Sequence, residues 1–189
     1  QTGFNLQQLE LHAQSKIDQH FELQANIAFS GHGVEVEELY VQTLALPASL
    51  QLRVGQFLLP FGRINQTHLH TWHFVDQVLM VGTFLGGEGG RALGLETSWL
   101  APLPWFAELT VAVNQGSDGC CFGGGSDAHE EAGEVHEDHG DEHDEHGSLH
   151  EEFLYTGRLE QFFEVNRDWA LLVGASYMLG QNGTASGNQ

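Results

Sequence analysis

Strict alternation of apolar and polar residues constrains this chain more than any other feature. Phe21, Leu23, Ala25, Ile27 and Phe29 alternate with Glu22, Gln24, Asn26, Ala28 and Ser30. A period of two puts successive side chains on opposite faces of a pleated strand, so this stretch carries one apolar and one polar face. The same pattern recurs at 9–16, 38–43, 50–55, 92–99, 108–114, 155–160 and 169–179. Eight strands are therefore expected, several about ten residues long. No comparable helical period is present outside one histidine-rich stretch.

The connections carry further information. Those after the first, third, fifth and seventh strands are tight, at 17–20, 47–49, 101–105 and 166–168. Those after the second, fourth and sixth are longer, at about 31–35, 60–90 and 115–152. Alternating short and long connections characterise an up-and-down barrel in an outer membrane. Strands of about ten residues suit a tilted crossing of a bilayer. Phe21, Phe29, Phe57, Trp99, Trp105, Phe106, Trp169 and Tyr177 lie near strand ends, where interfacial girdles form. A soluble β-sandwich or lipocalin-like barrel also alternates, with its apolar side turned to a core. The wet residues Lys16, Glu22, Arg53, Glu96, Arg158 and Glu160 favour a water-filled interior, and hence the membrane barrel.

Composition narrows the partners. The net charge is −20, which excludes nucleic acid. Much of it is local: residues 127–152 hold twelve carboxylates and six histidines. The two cysteines, Cys120 and Cys121, are adjacent and make no disulfide framework. No stretch reaches the ~20 apolar residues of a membrane-spanning helix. No signal peptide is visible, so a secreted protein would be represented here in mature or partial form.

At "LRVGQFLLPFGRINQTHLHTWHFVD" (52–76) the chain resembles the outer-membrane porins related to the phosphate-selective porin family. It is most similar to their histidine-rich members, labelled zinc-regulated outer-membrane receptors or porins. "VEVEELYVQTLALPASLQLRVGQFLLPFGRIN", "FLGGEGGRALGLETSWLAPLPWFAELTVAVNQG" and "YTGRLEQFF" extend the resemblance over most of 34–163. It implies an antiparallel up-and-down transmembrane β-barrel of about sixteen strands. Residues 1–189 would be its N-terminal part, with extracellular loops at 60–90 and 115–152. It also implies the outer membrane of a Gram-negative bacterium, passage of small solutes or ions, and a homotrimer. One departure is large: the chain ends in "GQNGTASGNQ" without the final strand, ending in an aromatic, that such barrels usually carry.

Three groups could carry chemistry. His136, His139, His143, His146 and His150 are spaced three, four, three and four apart, one face of a helix. With His129 and the surrounding carboxylates they suit a divalent metal, zinc first. Gly140 and Gly147 disfavour a helix, and the like charges repel. The expectation is weak multi-site binding in which metal and folding are coupled. The second group, His68, His70 and His73, either binds metal or hydrogen-bonds as a polar loop at the barrel mouth. The third comprises the pore-lining candidates Arg53, Glu22, Glu96, Arg158 and Glu160. Their arginines, with Arg63 and Arg91, either form an anion path or pair with the carboxylates; pairing is favoured. No catalytic set is present, and no organic cofactor is implied. A porin with a metal-binding loop leads. A metal-binding surface barrel without a useful pore, and a soluble metal-binding β-sandwich, stay open.

Overall fold

The structure is a computed structural model that describes residues 8–31, 33–68, 71, 78–86, 89–116 and 153–180. Its eight strands are β1 (Gln8–Lys16), β2 (Phe21–Ser30), β3 (Gly33–Thr43), β4 (Leu50–Leu58), β5 (Arg91–Leu100), β6 (Phe106–Gln115), β7 (Phe153–Glu164) and β8 (Ala170–Leu179). They form one sheet in sequence order, each strand antiparallel to the next. Among the described residues β1 and β8 do not pair with each other, so the sheet is open. No described helix is long and apolar enough to cross a membrane.

Alternation read along the chain locates all eight strands, with two corrections. β3 begins at Gly33, directly after β2 ends at Ser30, so the long connection expected at 31–35 does not exist. The cause is a β-bulge. Asn26 pairs with Glu38 but Ile27 pairs with Val36, which leaves Glu37 as an extra residue. The bulge shifts the apolar parity from Val34 and Val36 to Leu39 and Val41. The second correction is a seven-residue helix, α1 (Leu79–Leu85), between β4 and β5. It has no long apolar period, but Val81 and Leu85 are buried.

The two faces of the sheet are inverted relative to a soluble β-domain. Register aligns Leu23, Val41, Val54, Leu95, Val113, Tyr155 and Leu179 in one row across seven strands. Most of that row is exposed, as are Leu9, Leu11, Leu93, Val111, Leu171 and Val173. On the opposite face Lys16, Glu22, Gln42, Arg53, Glu96, Ala112 and Thr156 form an equivalent row. Here the polar side chains are the covered ones: Glu22, Asn26, Glu37, Glu96, Asn114 and Thr156 are all buried. Among the described residues the buried apolar clusters are small, Tyr40–Phe57–Ala112 and Leu59–Ala92–Leu154. Phe57 is therefore no girdle residue; it shares the parity of Arg53 and is fully buried on the polar face.

The segment that covers the polar face follows β4. Asn65 fixes its root, donating to the Leu59 and Gly90 carbonyls (2.8 and 2.9 Å) and accepting from Gly90 N–H (2.8 Å). Gly62 N–H then donates to Ser176 Oγ on β8 (2.9 Å), while His68 reaches Glu38 on β3 (2.9 Å). Residues 62–66 are turns, which span less than extended chain. One short segment thus touches both sides of an eight-stranded sheet, which requires the sheet to curl with its polar face concave.

Candidate functional site on the polar face

Two constellations occupy this face. The first surrounds His68. At a bulge, two consecutive residues oppose one, so the side chains of Glu37 and Glu38 both turn towards the segment that covers the face. His68 sits between them. Its Nε2 lies 2.9 Å from Glu38 Oε2 and its Nδ1 lies 3.4 Å from Glu37 Oε2. Asn26, directly across from Glu38, places Nδ2 at 2.9 Å from Glu37 Oε2 and 3.2 Å from His68 Nδ1. Gln8 Nε2 donates to Glu37 Oε1 (2.9 Å). Glu10, on β1, completes the group: it, Glu37 and His68 each offer a ligand atom, all within 4.8 Å of one another. The hydrogen bond to Glu38 raises the His68 pKa above its ordinary 6.5; burial opposes this, and the charges of Glu38, Glu37 and Glu10 add to it.

The second constellation lies under the same segment, towards β4–β7. Arg53 Nη1 is 3.3 Å from Glu96 Oε1, and the Arg53 guanidinium lies over the Tyr40 ring, 4.5 Å from its centroid. Phe57 flanks it at 5.7 Å. Planar, delocalised charge suits both contacts, so Arg53 answers the Glu96 carboxylate through its edge while its guanidinium face is covered by the rings. Arg158 bonds to Glu160 on its own strand and to Gln66 of the covering segment. These groups, with Glu108, line a polar recess of about 260 Å³. Glu96 is 5 % exposed, and among the described residues neither its Oε2 nor Arg53 Nε has a hydrogen-bond partner.

Among the pore-lining candidates, Arg53 and Glu96 are brought together, and so are Arg158 and Glu160. Glu22 stands apart from both pairs. It accepts from Gln14, Gln24 and Gln42 (2.7, 2.9 and 3.1 Å), a girdle of amides rather than a cation. Arg91 pairs with Glu35. Of the three histidines after β4 only His68 is described: His70 and His73 lie outside the described residues, as do His129, His136, His139, His143, His146, His150, Cys120 and Cys121. Reasoning from sequence missed Glu10, Glu37 and Glu38. The signal was present in "VEVEELYV", where two residues rather than one separate Val36 from Leu39.

The chain is 37 % identical over 179 residues, 95 % of its length, to an uncharacterized protein of Aquifex aeolicus (strain VF5). It spans about a third of the length of that curated relative, 35 %. No protein-family model matches the chain, and no solved structure does.

Proposed function

We propose that this chain is part of an outer-membrane β-barrel porin of a Gram-negative bacterium, passing small solutes or ions through a lumen lined by the polar face. The carrying observation is the inversion of the sheet. Its broad apolar face is bare, while carboxylates and amides of the other face are buried and Arg53 and Arg158 partly so. In water such a face is an extended exposed patch that soluble monomers avoid; in hydrocarbon it is the favourable one, and the paired backbone of a sheet is what a bilayer tolerates. The open edges at β1 and β8 are then met by further strands of a barrel of about sixteen. The resemblance to porins related to the phosphate-selective family supports the same reading and adds a trimer. The histidine and carboxylate segment 127–152 faces the cell exterior in this arrangement and binds divalent metal, zinc first.

Channel activity is the test. Reconstituted protein is expected to give discrete conductance steps in planar bilayers and to speed solute-driven swelling of liposomes. Folded protein that inserts yet does neither would sink the porin reading. A second reading, a metal-binding surface barrel without a useful pore, is favoured by one observation. The segment at 59–68 lies across the polar face and bonds to both sides of it. Insertion without conductance, together with zinc binding lost on replacing the histidines of 127–152, is the outcome that reading expects.

A further inference from the structure

The polar recess under the covering segment is built from three neighbouring rows of inward side chains on β4–β7. The middle row is Gln51, Ser98, Thr110 and Arg158, aligned directly by register. Arg53 and Glu96 face each other in the row on one side, and Glu108 and Glu160 in the row on the other. Gln66 closes the recess from the covering segment, and the space enclosed is about 260 Å³. Sites for drug-sized ligands run from roughly 300 to 1,000 Å³, so an occupant here is small.

Pairing leaves one negative charge of the recess without a cation. Three carboxylates and two guanidiniums line it. Arg53 takes Glu96, and Arg158 takes Glu160. Glu108 stands opposite Glu160 across the β6–β7 ladder, where like charges repel. Among the described residues no cation pairs with Glu108. Solvation by water would account for Glu108 alone, but not for Glu96. Glu96 is 5 % exposed, Arg53 meets its Oε1 at 3.3 Å, and among the described residues its Oε2 has no hydrogen-bond partner. A buried charged oxygen without a donor is costly, and a ligand that donates to it relieves that cost.

The spacing of the two carboxylates selects the kind of cation. Four residues of strand separate the Glu96 row from the Glu108 row, about 13 Å of backbone. A single metal ion holds its oxygens at about 2.0–2.6 Å and bridges such rows only if both side chains are fully stretched. An organic cation with N–H donors on opposite edges spans the gap itself, and guanidinium and ammonium groups make charge-assisted hydrogen bonds to carboxylates. We infer that the recess binds a small organic cation of this class, a guanidinium or primary ammonium, which donates to Glu96 Oε2 on one side and to Glu108 on the other. The Ser98 and Thr110 hydroxyls in the row between them offer further acceptors. The solute reaches the recess along the polar face, and only this access rests on the porin reading; binding itself needs no conducting pore.

The test uses the full chain folded in detergent micelles, at about 0.15 M salt to damp loose attraction to the other acids. Calorimetric titration with methylguanidinium is expected to show saturable binding to a single site. Methylurea, its neutral isostere, is expected not to bind, and tetramethylammonium, a cation without N–H groups, to bind at least tenfold more weakly. Glu108→Gln removes the repulsion from Glu160 and so keeps the fold; it is expected to weaken methylguanidinium at least tenfold. Glu164→Gln, the same charge change at the exposed end of β7, is expected to leave the affinity unchanged. No saturable binding by the folded, unsubstituted chain overturns the site. So does affinity unchanged in Glu108→Gln, an equal loss in Glu164→Gln, or tetramethylammonium binding as well as methylguanidinium, which is charge attraction only. Binding without conductance counts against the porin reading alone, and conductance without binding against the recess alone.

Discussion

Val111 and Ser98 lie one row apart on β6 and β5 and face opposite ways. Val111 is 47 % exposed on the apolar face, whereas Ser98 lines the recess beside Glu96 and Glu108. In water an arginine at Val111 would be nearly neutral. In a bilayer the same change is expected to cost about 2–4 kcal/mol near the midplane, while Ser98→Arg, placed among carboxylates, costs under about 1 kcal/mol. Urea refolding into lipid vesicles measures both, and equal effects would remove the membrane assignment. Asn26, by parity alone a tolerant inward position, is not one: it is buried between Glu37 and His68, and an arginine there has no room. Parity says which face a residue takes, not what crosses over to meet it. Arg53 shows the same limit. Its inward direction is legible in "LQLRVG", but its pairing with Glu96, forty-three positions on, depends on register. Arg53→Ala is expected to cost about 3–5 kcal/mol by leaving Glu96 buried without its cation. In a double-mutant cycle, Arg53→Ala with Glu96→Ala should cost clearly less than the two singles added.

At the scale of elements, close backbone approach is decided by two glycines that alternation passes over. Gly55 on β4 has φ +136°, and a Cβ there would stand 2.2 Å from the Leu39 carbonyl oxygen and 2.6 Å from Tyr40 Cα. Gly94 on β5 is similarly closed, 2.4 Å from the Asn114 amide and from the Val113 carbonyl oxygen. Gly157 on β7 meets nothing within 4 Å. Gly55→Ala is therefore expected to destabilise by at least about 1–3 kcal/mol, whereas Gly157→Ala should be neutral or stabilising by up to about 1 kcal/mol. Chemical unfolding of the two variants side by side checks the contrast. The strands themselves were legible because each alternates over six or more residues. The bulge was legible only as a slip of parity between Val36 and Leu39, and α1 hardly at all, since seven residues give no helical period. The candidate site was least legible. His68 was visible as a ligand type, but its partners come from β1 and β3, and nothing local announces that the segment after β4 folds back over the sheet to reach them.

At the scale of the whole molecule, the position of that segment decides between a channel and a plugged platform. It enters from Leu59, is fixed by Asn65, and bonds to β8 through Gly62, to β7 through Gln66 and to β3 through His68. Inside a curled sheet it narrows whatever path runs along the polar face. It leaves a recess of about 260 Å³ between Gln66 and the Arg53–Glu96 pair. Such a constriction sets conductance through its own cross-section and selectivity through the charges beside it. Replacing residues 62–68 by a short glycine–serine linker removes the bonds to β3, β7 and β8 but leaves all eight strands intact. The single-channel conductance is expected to rise severalfold. Glu96→Gln, which removes a carboxylate of the polar face beside Arg53 and changes little volume, should, on the porin reading, instead shift the reversal potential in a salt gradient towards anions at nearly constant conductance. If the shortened protein inserts, keeps its β-sheet circular dichroism and conducts as before, the segment does not lie in the path, and the solute route must be sought away from Arg53 and Glu96.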